Sequence, residues 1–315
     1  MRIVITEAAT VSANDIDLTV FENLGDVTYY DFTAPDELLD RVKDADAVLC
    51  NKCVFTKEIL QQCKSLKYIG LFATGYNNID ISAAKELGIR VCNAGSYSND
   101  AVIQHTFGLI LNYFSKITEY TSFCKRGEWK TSRSFSPIVY SSDEIAGKTI
   151  GIVGFGSIGM GVAKIANAFG MRVLTYTRTK KDCSDVEFVD LDTLLKESDI
   201  ISVHCPLNEQ TQGMFNIEAF KKCKKSALFI NTARGPVVNE DDLKFALDND
   251  IIAAAAVDVL CKEPMDENCP LFTAKNISIT PHSAWSPLTT RKRLVNIVYS
   301  NLDAFKNGEK QNVIV

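Results

Sequence analysis

The feature that most constrains the fold of this chain is the glycine-rich segment GIVGFGSIG, residues 151–159. It continues the buried-type strand pattern TIGIV and leads into an apolar-periodic helix pattern that ends at Gly170. Gly154 allows a tight turn, Gly156 lets backbone approach a pyrophosphate, and Gly159 lets helix and strand pack closely. The helix N-terminus then offers unpaired N–H groups to phosphates. This arrangement predicts a dinucleotide-binding unit, whereas the same glycines outside a strand and helix would indicate only a turn.

Short β-rich runs alternate with helical patterns along the whole chain. The first series of strand patterns is RIVIT, VTYYD, DAVLC, LKYIGLF and IRVCN, and the second is TIGIVG, RVLTYT, IISVHC, ALFINT, IAAAAVDVL and ISIT. This alternation favours an α/β protein with parallel sheets covered by helices, and 315 residues suggest about two domains. Between the two series, residues 99–120 show one long apolar periodicity, which predicts a single helix leaving the first domain.

Composition narrows the functional class. The chain is 46% hydrophobic and 23% charged, as in ordinary soluble globular proteins, and its net charge of −5 leaves no basic excess to neutralise phosphates. No apolar run reaches the roughly 18 residues that a membrane-spanning helix needs, and the N-terminus MRIVITEAAT lacks a signal-peptide pattern. Ten cysteines without such a signal are typical of a reducing cytosol. We therefore expect a cytoplasmic protein that binds neither nucleic acid nor membrane.

Some chemically suggestive residues are predicted to be structural. Cys50 and Cys53 have C-x-x-C spacing, but their segment VLCNKCVFTKEIL contains no second ligand pair and no histidine. A buried cysteine behaves as a small hydrophobic residue. His105 lies in the long apolar helix pattern and His204 at a strand end. We assign these four residues structural roles and predict no metal site.

Polar side chains follow the later strand patterns where each one ends. Arg234 follows a strand in INTARG, Asp258 and Glu263 follow the next in VDVLCKEP, and His282 follows the last in TPHSAW. Open α/β sheets bind ligands at the carboxyl ends of their strands. Taken singly, the arginine suits a surface ion pair, the glutamate a helix cap and the histidine a hydrogen-bonded loop. Their occurrence at three strand ends together favours a catalytic site.

With these motifs the chain resembles the D-isomer-specific 2-hydroxyacid dehydrogenases. The likeness spans nearly the whole chain and rests on ATGYNNID, AVIQHTFGLIL, GKTIGIVGFGSIG, HCPL, INTARG, VDVLCKEP and TPHSAW; GSYSNDAVIQHTF, RGEWKTSRSFS and PHSAW point to the glycerate dehydrogenase / hydroxypyruvate reductase branch. The resemblance implies two Rossmann-like, doubly wound parallel-sheet domains. The substrate domain is discontinuous, with residues 1–98 joined by a C-terminal helix at 285–315, and the dinucleotide-binding domain is 99–284. A homodimer through the cofactor domain is also implied, with residues 113–140 reaching the second subunit.

The resemblance assigns three catalytic residues. Arg234 holds the substrate carboxylate and carbonyl, His282 donates a proton, and Glu263 pairs with that histidine. Reducing a 2-keto acid takes a hydride from the cofactor and a proton at the forming alkoxide. Arginine presents a planar fork that grips a carboxylate with two parallel bonds. A carboxylate beside the histidine stabilises the imidazolium, so the chemistry agrees with the assigned roles.

The resemblance also implies substrate and cofactor contacts. The backbone of Ala73, Thr74 and Gly75 is expected to hold the substrate carboxylate. Trp285, three residues after His282, is expected to wall the substrate pocket, with interdomain packing as the alternative. The implied cofactor contacts run from the pyrophosphate turn to the nicotinamide and are Gly154, Gly156, Ser157, Ile158, Gly159, Thr177, Arg178, Cys205, Pro206, Thr232, Ala233 and Asp258.

The segment VLTYTRTKKD bears on the choice of cofactor. At the end of the second strand of an NAD-binding unit, an acid accepts hydrogen bonds from the adenosine ribose and repels a 2′-phosphate. Thr177 occupies that position here, and Arg178, Lys180 and Lys181 follow. A guanidinium fits a phosphate by geometry and by charge. We predict that NADP(H) is favoured over NAD(H); the alternative is solvent-facing cations beside a threonine that tolerates NADH.

The predicted activity is hydride transfer between NAD(P)H and a small 2-keto acid or D-2-hydroxy acid, foremost as a hydroxypyruvate or glyoxylate reductase. Dehydrogenation of D-lactate or 3-phosphoglycerate is the alternative within the enzyme class. A second class is also open, because the C-terminal-binding-protein corepressors resemble this family and use the fold as a nucleotide-gated dimer that recruits partners. Cofactor oxidation with hydroxypyruvate separates the enzyme from the binding protein.

Overall fold

The structure is a computed structural model that describes residues 1–179 and 181–315. Its β-strands are β1 (Arg2–Ile5), β2 (Asp26–Tyr29), β3 (Ala47–Cys50), β4 (Tyr68–Leu71), β5 (Arg90–Cys92), β6 (Thr149–Val153), β7 (Arg172–Tyr176), β8 (Glu187–Phe188), β9 (Ile200–Val203), β10 (Leu228–Asn231), β11 (Ala254–Val257) and β12 (Ile277–Ile279). Its α-helices are α1 (Leu38–Val42), α2 (Lys57–Gln62), α3 (Ile81–Glu86), α4 (Asn99–Ser115), α5 (Ile117–Lys125), α6 (Ser157–Ala168), α7 (Leu191–Glu197), α8 (Ile217–Phe220), α9 (Glu240–Asp248) and α10 (Leu288–Lys306).

The chain forms two compact units. The first unit contains residues 1–98 and 286–315, and the second contains 99–285. Within the part of the chain that the structure describes, each unit has its own parallel sheet, one of five strands and one of seven. This confirms the predicted fold class of two doubly wound α/β domains.

The sheet of the first unit has the strand order β2-β1-β3-β4-β5, with every neighbouring pair parallel. The central strand β3 is apolar and buried at all four positions, as expected for a strand covered on both faces. α10 packs on this sheet, where the rings of Tyr68 and Phe305 lie 4.9 Å apart. The final residues bond to β5, since the Ile314 N–H donates to the Val91 carbonyl at 2.8 Å. Residues far apart in the sequence therefore complete the first unit.

The sheet of the second unit has the order β12-β11-β10-β9-β6-β7-β8, again with parallel pairs throughout. Buried apolar clusters cover both of its faces. The strand order runs one way from β6 through β7 to β8 and the other way from β6 to β9. A crevice forms at such a switch point, outside the carboxyl ends of the strands. The glycine-rich turn follows β6 and therefore lies at this position.

The prediction of one helix over residues 99–120 is wrong, because the structure has two helices there. α4 ends at Ser115, and Lys116 takes the left-handed conformation with φ 54° before α5 begins. The side chain of Asn112 stabilises the break, since its Oδ1 accepts from the Thr118 hydroxyl at 2.7 Å. The apolar periodicity continues across this turn, so it does not reveal the interruption.

All ten cysteines lie within the described residues and are free thiols. Burial raises the pKa of Cys53 to about 12 and that of Cys50 well above its usual value. Thiols that stay protonated are poor nucleophiles and poor metal ligands, which agrees with a structural role for this pair. Across residues 1–179 and 181–315, no helix combines the length and apolar character needed to cross a membrane.

Candidate active site and dinucleotide site

The turn after β6 depends on the absence of a side chain at Gly154. Its φ of 98° lies in the region that favours glycine. A Cβ there would lie 2.6 Å from the backbone nitrogen of Cys205, the second residue after β9. The Gly154 N–H donates to the Tyr176 carbonyl at 2.9 Å, at the end of β7. The turn therefore packs directly against the ends of both neighbouring strands.

The N-terminus of α6 is open toward a ligand. Gly156 is the N-cap, and no side chain of residues 1–179 or 181–315 caps the first turn. The N–H groups of such a turn have no partner within the helix. A Cβ on Gly156 would meet no described atom within 4 Å, whereas one on Gly159 would overlap the Gly154 carbonyl oxygen at 2.2 Å. A backbone without side chains before a helix dipole suits a pyrophosphate, so these residues fit a dinucleotide.

The segment after β7 carries the residues predicted to select the cofactor. Thr177 is partly buried, and its hydroxyl lies 3.4 Å from the Thr179 carbonyl oxygen. Arg178 is exposed. Lys180, which was part of the same prediction, lies outside the described residues, and the Lys181 ammonium lies 3.6 Å from the sulfur of Met160 on α6. Threonine rather than an acid therefore stands next to an exposed guanidinium at this strand end.

Four further predicted cofactor residues lie at the ends of β9 and β10. Cys205 is buried, and Pro206 is exposed with its carbonyl accepting from the Thr211 hydroxyl at 2.7 Å. The hydroxyl of Thr232 lies 3.2 Å from that of Thr106 on α4. The N–H of Ala233 donates to Asn231 Oδ1 at 3.0 Å. These contacts fix the loops that follow β9 and β10.

Asp258 follows β11 and is 1% exposed. Its Oδ1 accepts from the Thr280 hydroxyl at 2.6 Å and the Ser283 N–H at 2.9 Å, and its Oδ2 accepts from the Ala284 N–H at 3.0 Å. Its backbone oxygen accepts from the N–H of His282 at 2.8 Å. The loop after β12 therefore folds around one buried carboxylate. The hydrogen bonds to this carboxylate offset the cost of burying its charge.

His282 and Glu263 lie in direct contact. His282 Nδ1 donates to Glu263 Oε2 at 2.7 Å, and both side chains are about one-third exposed. Glu263 Oε1 accepts from the Leu260 N–H at 2.9 Å, which fixes the carboxylate. His282 has φ 49°, a left-handed conformation that non-glycine residues rarely adopt. Because Nδ1 is engaged, Nε2 is the ring nitrogen left to exchange a proton.

Arg234 lies in the loop after β10. It is exposed, and its Nη1 donates to the Ala233 carbonyl at 2.7 Å. The next residue, Gly235, sits so close to the segment carrying Glu263 that a Cβ would lie 2.0 Å from the Leu260 backbone. The arginine loop and the glutamate loop thus pack backbone to backbone within the second unit.

The remaining predicted substrate residues are divided between the units. Ala73, Thr74 and Gly75 follow β4 in the first unit, where the Thr74 carbonyl accepts from Asn93 Nδ2 at 2.7 Å. Trp285 is the last residue of the second unit and is partly buried. Within the described residues, no group of three or more His, Cys, Asp or Glu side chains is placed to hold a metal ion.

The two other histidines differ in their surroundings. Burial lowers the pKa of His204 to about 4, so the ring is neutral, and its Nε2 lies 2.8 Å from the Ser202 hydroxyl. His105 instead contacts the residues around the His282 loop, with Nε2 3.0 Å from the Thr280 hydroxyl and 3.5 Å from Asp258 Oδ1. Sequence reasoning did not find this contact, because no spacing relates α4 to a loop so far along the chain.

Comparison with known proteins decides the family. The model for the NAD-binding domain of the D-isomer specific 2-hydroxyacid dehydrogenases matches residues 107–284, more than half of the chain. The chain belongs to the D-isomer-specific 2-hydroxyacid dehydrogenase family. This family membership makes the chain an oxidoreductase of the D-2-hydroxyacid dehydrogenase type.

Two relatives of this dehydrogenase family member match over most of their length. The hydroxypyruvate reductase of Blautia hydrogenotrophica is 37% identical over 320 residues, covering 100% of this chain and 99% of the relative. The glycerate dehydrogenase of Methylorubrum extorquens is 37% identical over 282 residues, covering 89% and 88%. The sequence match to the family therefore extends beyond the NAD-binding domain.

Solved structures of similar proteins share the fold over the full length. TT0316 from Thermus thermophilus has a TM-score of 0.90 at 32% identity, with 100% of both chains covered. An acyclic imino acid reductase, Bsp5, in complex with NADPH and D-Arg has a TM-score of 0.85 at 30% identity, with 100% of both chains covered. D-lactate dehydrogenase from Lactobacillus jensenii with NAD+ has a TM-score of 0.81 at 29% identity, covering 100% of this chain and 99% of that one. Both nicotinamide dinucleotides thus occur among structures similar to this dehydrogenase.

Proposed function

We propose that this protein reduces small 2-keto acids with NADPH or NADH, hydroxypyruvate and glyoxylate foremost among them. The observation that carries the proposal is the 2.7 Å contact between His282 Nδ1 and Glu263 Oε2, on the same unit as the glycine turn. A proton donor in the same unit as a dinucleotide-binding turn is what carbonyl reduction requires. Relatives named hydroxypyruvate reductase and glycerate dehydrogenase support this substrate class.

The proton-transfer step follows from the geometry of the pair. A nicotinamide cofactor, when bound, would supply the hydride for the carbonyl carbon. Protonated His282 gives the Nε2 proton to the carbonyl oxygen as it becomes an alkoxide, while Glu263 accepts from Nδ1 and stabilises the positive ring before transfer. In the oxidative direction the neutral ring takes the same proton back. Glu263 orients the histidine through its hydrogen bond with Nδ1.

We assign substrate binding to the Arg234 guanidinium and to the loops that follow β4 and β12. The exposed guanidinium of Arg234 binds the carboxylate with two N–H groups and polarises the adjacent carbonyl. The backbone of Ala73, Thr74 and Gly75 binds the same carboxylate, and Trp285 forms one wall of the substrate pocket. The α6 N-terminus binds the pyrophosphate. The loop that contains the buried Asp258 lies next to the nicotinamide.

The substrate is tested with a panel of 2-keto acids. Hydroxypyruvate, glyoxylate, pyruvate and phosphohydroxypyruvate are each offered with NADPH and with NADH, and loss of reduced nicotinamide is followed. We expect the highest kcat/KM with hydroxypyruvate or glyoxylate. A preference for pyruvate or phosphohydroxypyruvate would instead identify a D-lactate or phosphoglycerate enzyme. No oxidation with any of the four, in a protein that still binds the cofactor, would favour the nucleotide-gated binding protein.

The cofactor proposal is a preference for NADPH. Thr177 does not repel a 2′-phosphate, and the exposed Arg178 guanidinium follows it. One charge-assisted phosphate bond of roughly 1.5–3 kcal/mol corresponds to about 10- to 150-fold in kcat/KM. We expect Thr177→Asp to erode or reverse the preference, because the carboxylate repels the phosphate and accepts from the ribose hydroxyls. Thr177→Asn is the neutral control of equal size. A wild-type preference for NADH would overturn the cofactor proposal and leave the dehydrogenase proposal intact.

We further propose that the protein is a homodimer. The segment 113–140 presents unusually exposed apolar side chains, since Phe135 is 92% exposed and Ile138 is 90% exposed. It nevertheless has internal order, with the Tyr120 hydroxyl donating to the Tyr140 carbonyl at 3.1 Å. Exposed apolar side chains on an ordered segment are typical of interaction surfaces. A second copy of the chain is the partner that the family resemblance implies.

A further inference from the structure

The histidine on α4 takes part in a directed chain of hydrogen bonds. A carboxylate can only accept hydrogen bonds. The Thr280 hydroxyl, which has one hydrogen, must therefore donate it to Asp258 Oδ1, 2.6 Å away. Its lone pairs then face the ring of His105, whose Nε2 lies 3.0 Å from the same hydroxyl. Nε2 of His105 therefore carries a hydrogen and donates it to Thr280. The order of donation is His105 to Thr280 to Asp258.

The end of this chain is the carboxylate that shapes the catalytic loop. Asp258 accepts from the Ser283 N–H, the Ala284 N–H and, through its backbone oxygen, the His282 N–H. His282 is held by these bonds in its left-handed conformation. A backbone of this kind persists only where the surroundings over-determine it. Any shift of the Asp258 carboxylate is thus passed to the backbone of His282.

His105, the first donor of this hydrogen-bond chain, lies on a helix that is anchored in a buried cluster. Ile103 and Phe107 flank His105 on α4 and are buried in the cluster that also contains Val162 and Ala163 of α6. α6 begins at the glycine turn. His105 therefore connects the catalytic loop to the helical layer that carries the dinucleotide turn, and all of these contacts lie within the second unit.

We propose that His105 is a positioning residue for the reduction. It donates through Thr280 to Asp258 and so holds the loop that places His282 for proton transfer. The role rests on the proposed function only in taking His282 as the proton donor. His105 itself exchanges no proton with the substrate.

The hydrogen-bond order is tested directly by NMR. The chain has three histidines, so nitrogen–proton correlation spectra of ¹⁵N-histidine-labelled protein contain three ring systems, and the spectrum of His105→Gln assigns the relevant one. At a pH where the free imidazole is neutral, we expect the Nε2–H tautomer at His105. An Nδ1–H tautomer would overturn the proposal, because that ring has no hydrogen to give Thr280. This measurement does not depend on any enzymatic activity.

The positioning role is tested by paired substitutions. Thr280→Val keeps the shape and removes the hydroxyl, and His105→Leu removes the donor. We expect both to lower kcat for keto-acid reduction by at least about tenfold while the Kd for NADPH stays unchanged. Thr280→Ser and His105→Gln keep the respective donors and should retain most of the activity. Gln104→Leu, an exposed neighbour on α4, is the control and should behave as wild type.

The outcomes are distinguishable. Wild-type kcat in Thr280→Val, or equal damage from His105→Gln and His105→Leu, would overturn the positioning role. A merely structural role would lower the melting temperature and cofactor affinity without sparing the conservative variants. If the wild-type protein reduces no keto acid at all, the proposed function fails while the tautomer measurement still decides the hydrogen-bond chain.

Discussion

His282 shows how much a single residue depends on its backbone. A left-handed conformation costs a non-glycine residue on the order of 1 kcal/mol or more, and here the N–H of His282 is bonded to carbonyls of both Asp258 and Thr280. The ring nitrogen Nδ1 is engaged by Glu263. The backbone conformation of His282 and the Glu263 carboxylate together fix the orientation of the ring. Nε2 is then the ring nitrogen available for proton transfer. Substitutions at Glu263 should therefore affect proton transfer more than folding.

The Glu263→Gln variant tests this pairing through turnover. The amide keeps the size of the side chain but removes the negative charge beside the ring that we propose as proton donor. We expect kcat for keto-acid reduction to fall by roughly tenfold or more, while the Kd for NADPH and the free energy of unfolding change little. Steady-state kinetics with saturating cofactor measure the effect. A wild-type kcat in the variant would argue against the dyad.

Arg234 is tested by separating charge from geometry. Arg234→Ala should lose charge-assisted bonds worth roughly 1.5–3 kcal/mol each, raising KM for the keto acid and lowering kcat together. Arg234→Lys keeps the charge but loses the planar fork, so it should recover only part of the loss. The Kd for NADPH serves as the control and should stay constant. Kinetics near those of the wild type in the alanine variant would remove Arg234 from the site.

At the scale of elements, the strands and the glycine turn could be predicted because their patterns are local. The run TIGIV and the G-x-G-x-x-G spacing specify β6, the turn and α6 without help from distant residues. The break between α4 and α5 could not be predicted, because it depends on the Thr118 hydroxyl donating to Asn112 Oδ1 across the turn. The apolar periodicity continues through this turn and so gives no sign of it. The edge strand β8 has two residues, too few to show alternation. Chain-distant contacts such as His105 with Thr280 leave no local pattern at all.

A buried acid organises the loops at the carboxyl edge of the first sheet. Glu7, the second residue after β1, is 7% exposed, and its Oε2 accepts from the N–H groups of Asn51, Lys52 and Cys53 at 2.9, 2.9 and 3.1 Å. Asn78 donates to the carbonyl of Cys53 at 2.9 Å. Asn78 belongs to the segment that contains the predicted substrate backbone. One carboxylate thus supports the turn after β3 and, through it, the loop after β4.

Glu7→Gln should weaken this support. An amide keeps the size of the side chain but replaces charge-assisted bonds with neutral ones, so we expect the free energy of unfolding to fall by about 2 kcal/mol. The KM for the keto acid should rise while the Kd for NADPH stays unchanged. Denaturant unfolding and steady-state kinetics measure the two effects. Glu309→Gln, an exposed change in the same unit, is the matched control. Unaltered stability in Glu7→Gln would refute the supporting role.

At the scale of the whole molecule, the assembly prediction concerns the segment 113–140. We expect light scattering coupled to size-exclusion chromatography to give a dimer at micromolar concentration. Replacing Phe135 and Ile138 together by serine should shift the equilibrium to monomer, because the apolar contact area is lost. Phe272→Ser, at another exposed aromatic residue of the second unit, is the control and should leave the dimer intact. A monomeric wild-type protein would contradict the prediction.

The discontinuous first unit has a consequence for biosynthesis. Its sheet strands leave the ribosome first, yet α10, which covers Tyr68 with Phe305 and Phe21 with Tyr299, emerges only after the entire second unit. The second unit is one continuous stretch and has all of its strands as soon as it is made. Nascent domains fold as units while synthesis proceeds. The earlier-synthesised unit is therefore the later one to finish, and its uncovered aromatic face is the surface that ribosome-associated chaperones would meet in the meantime.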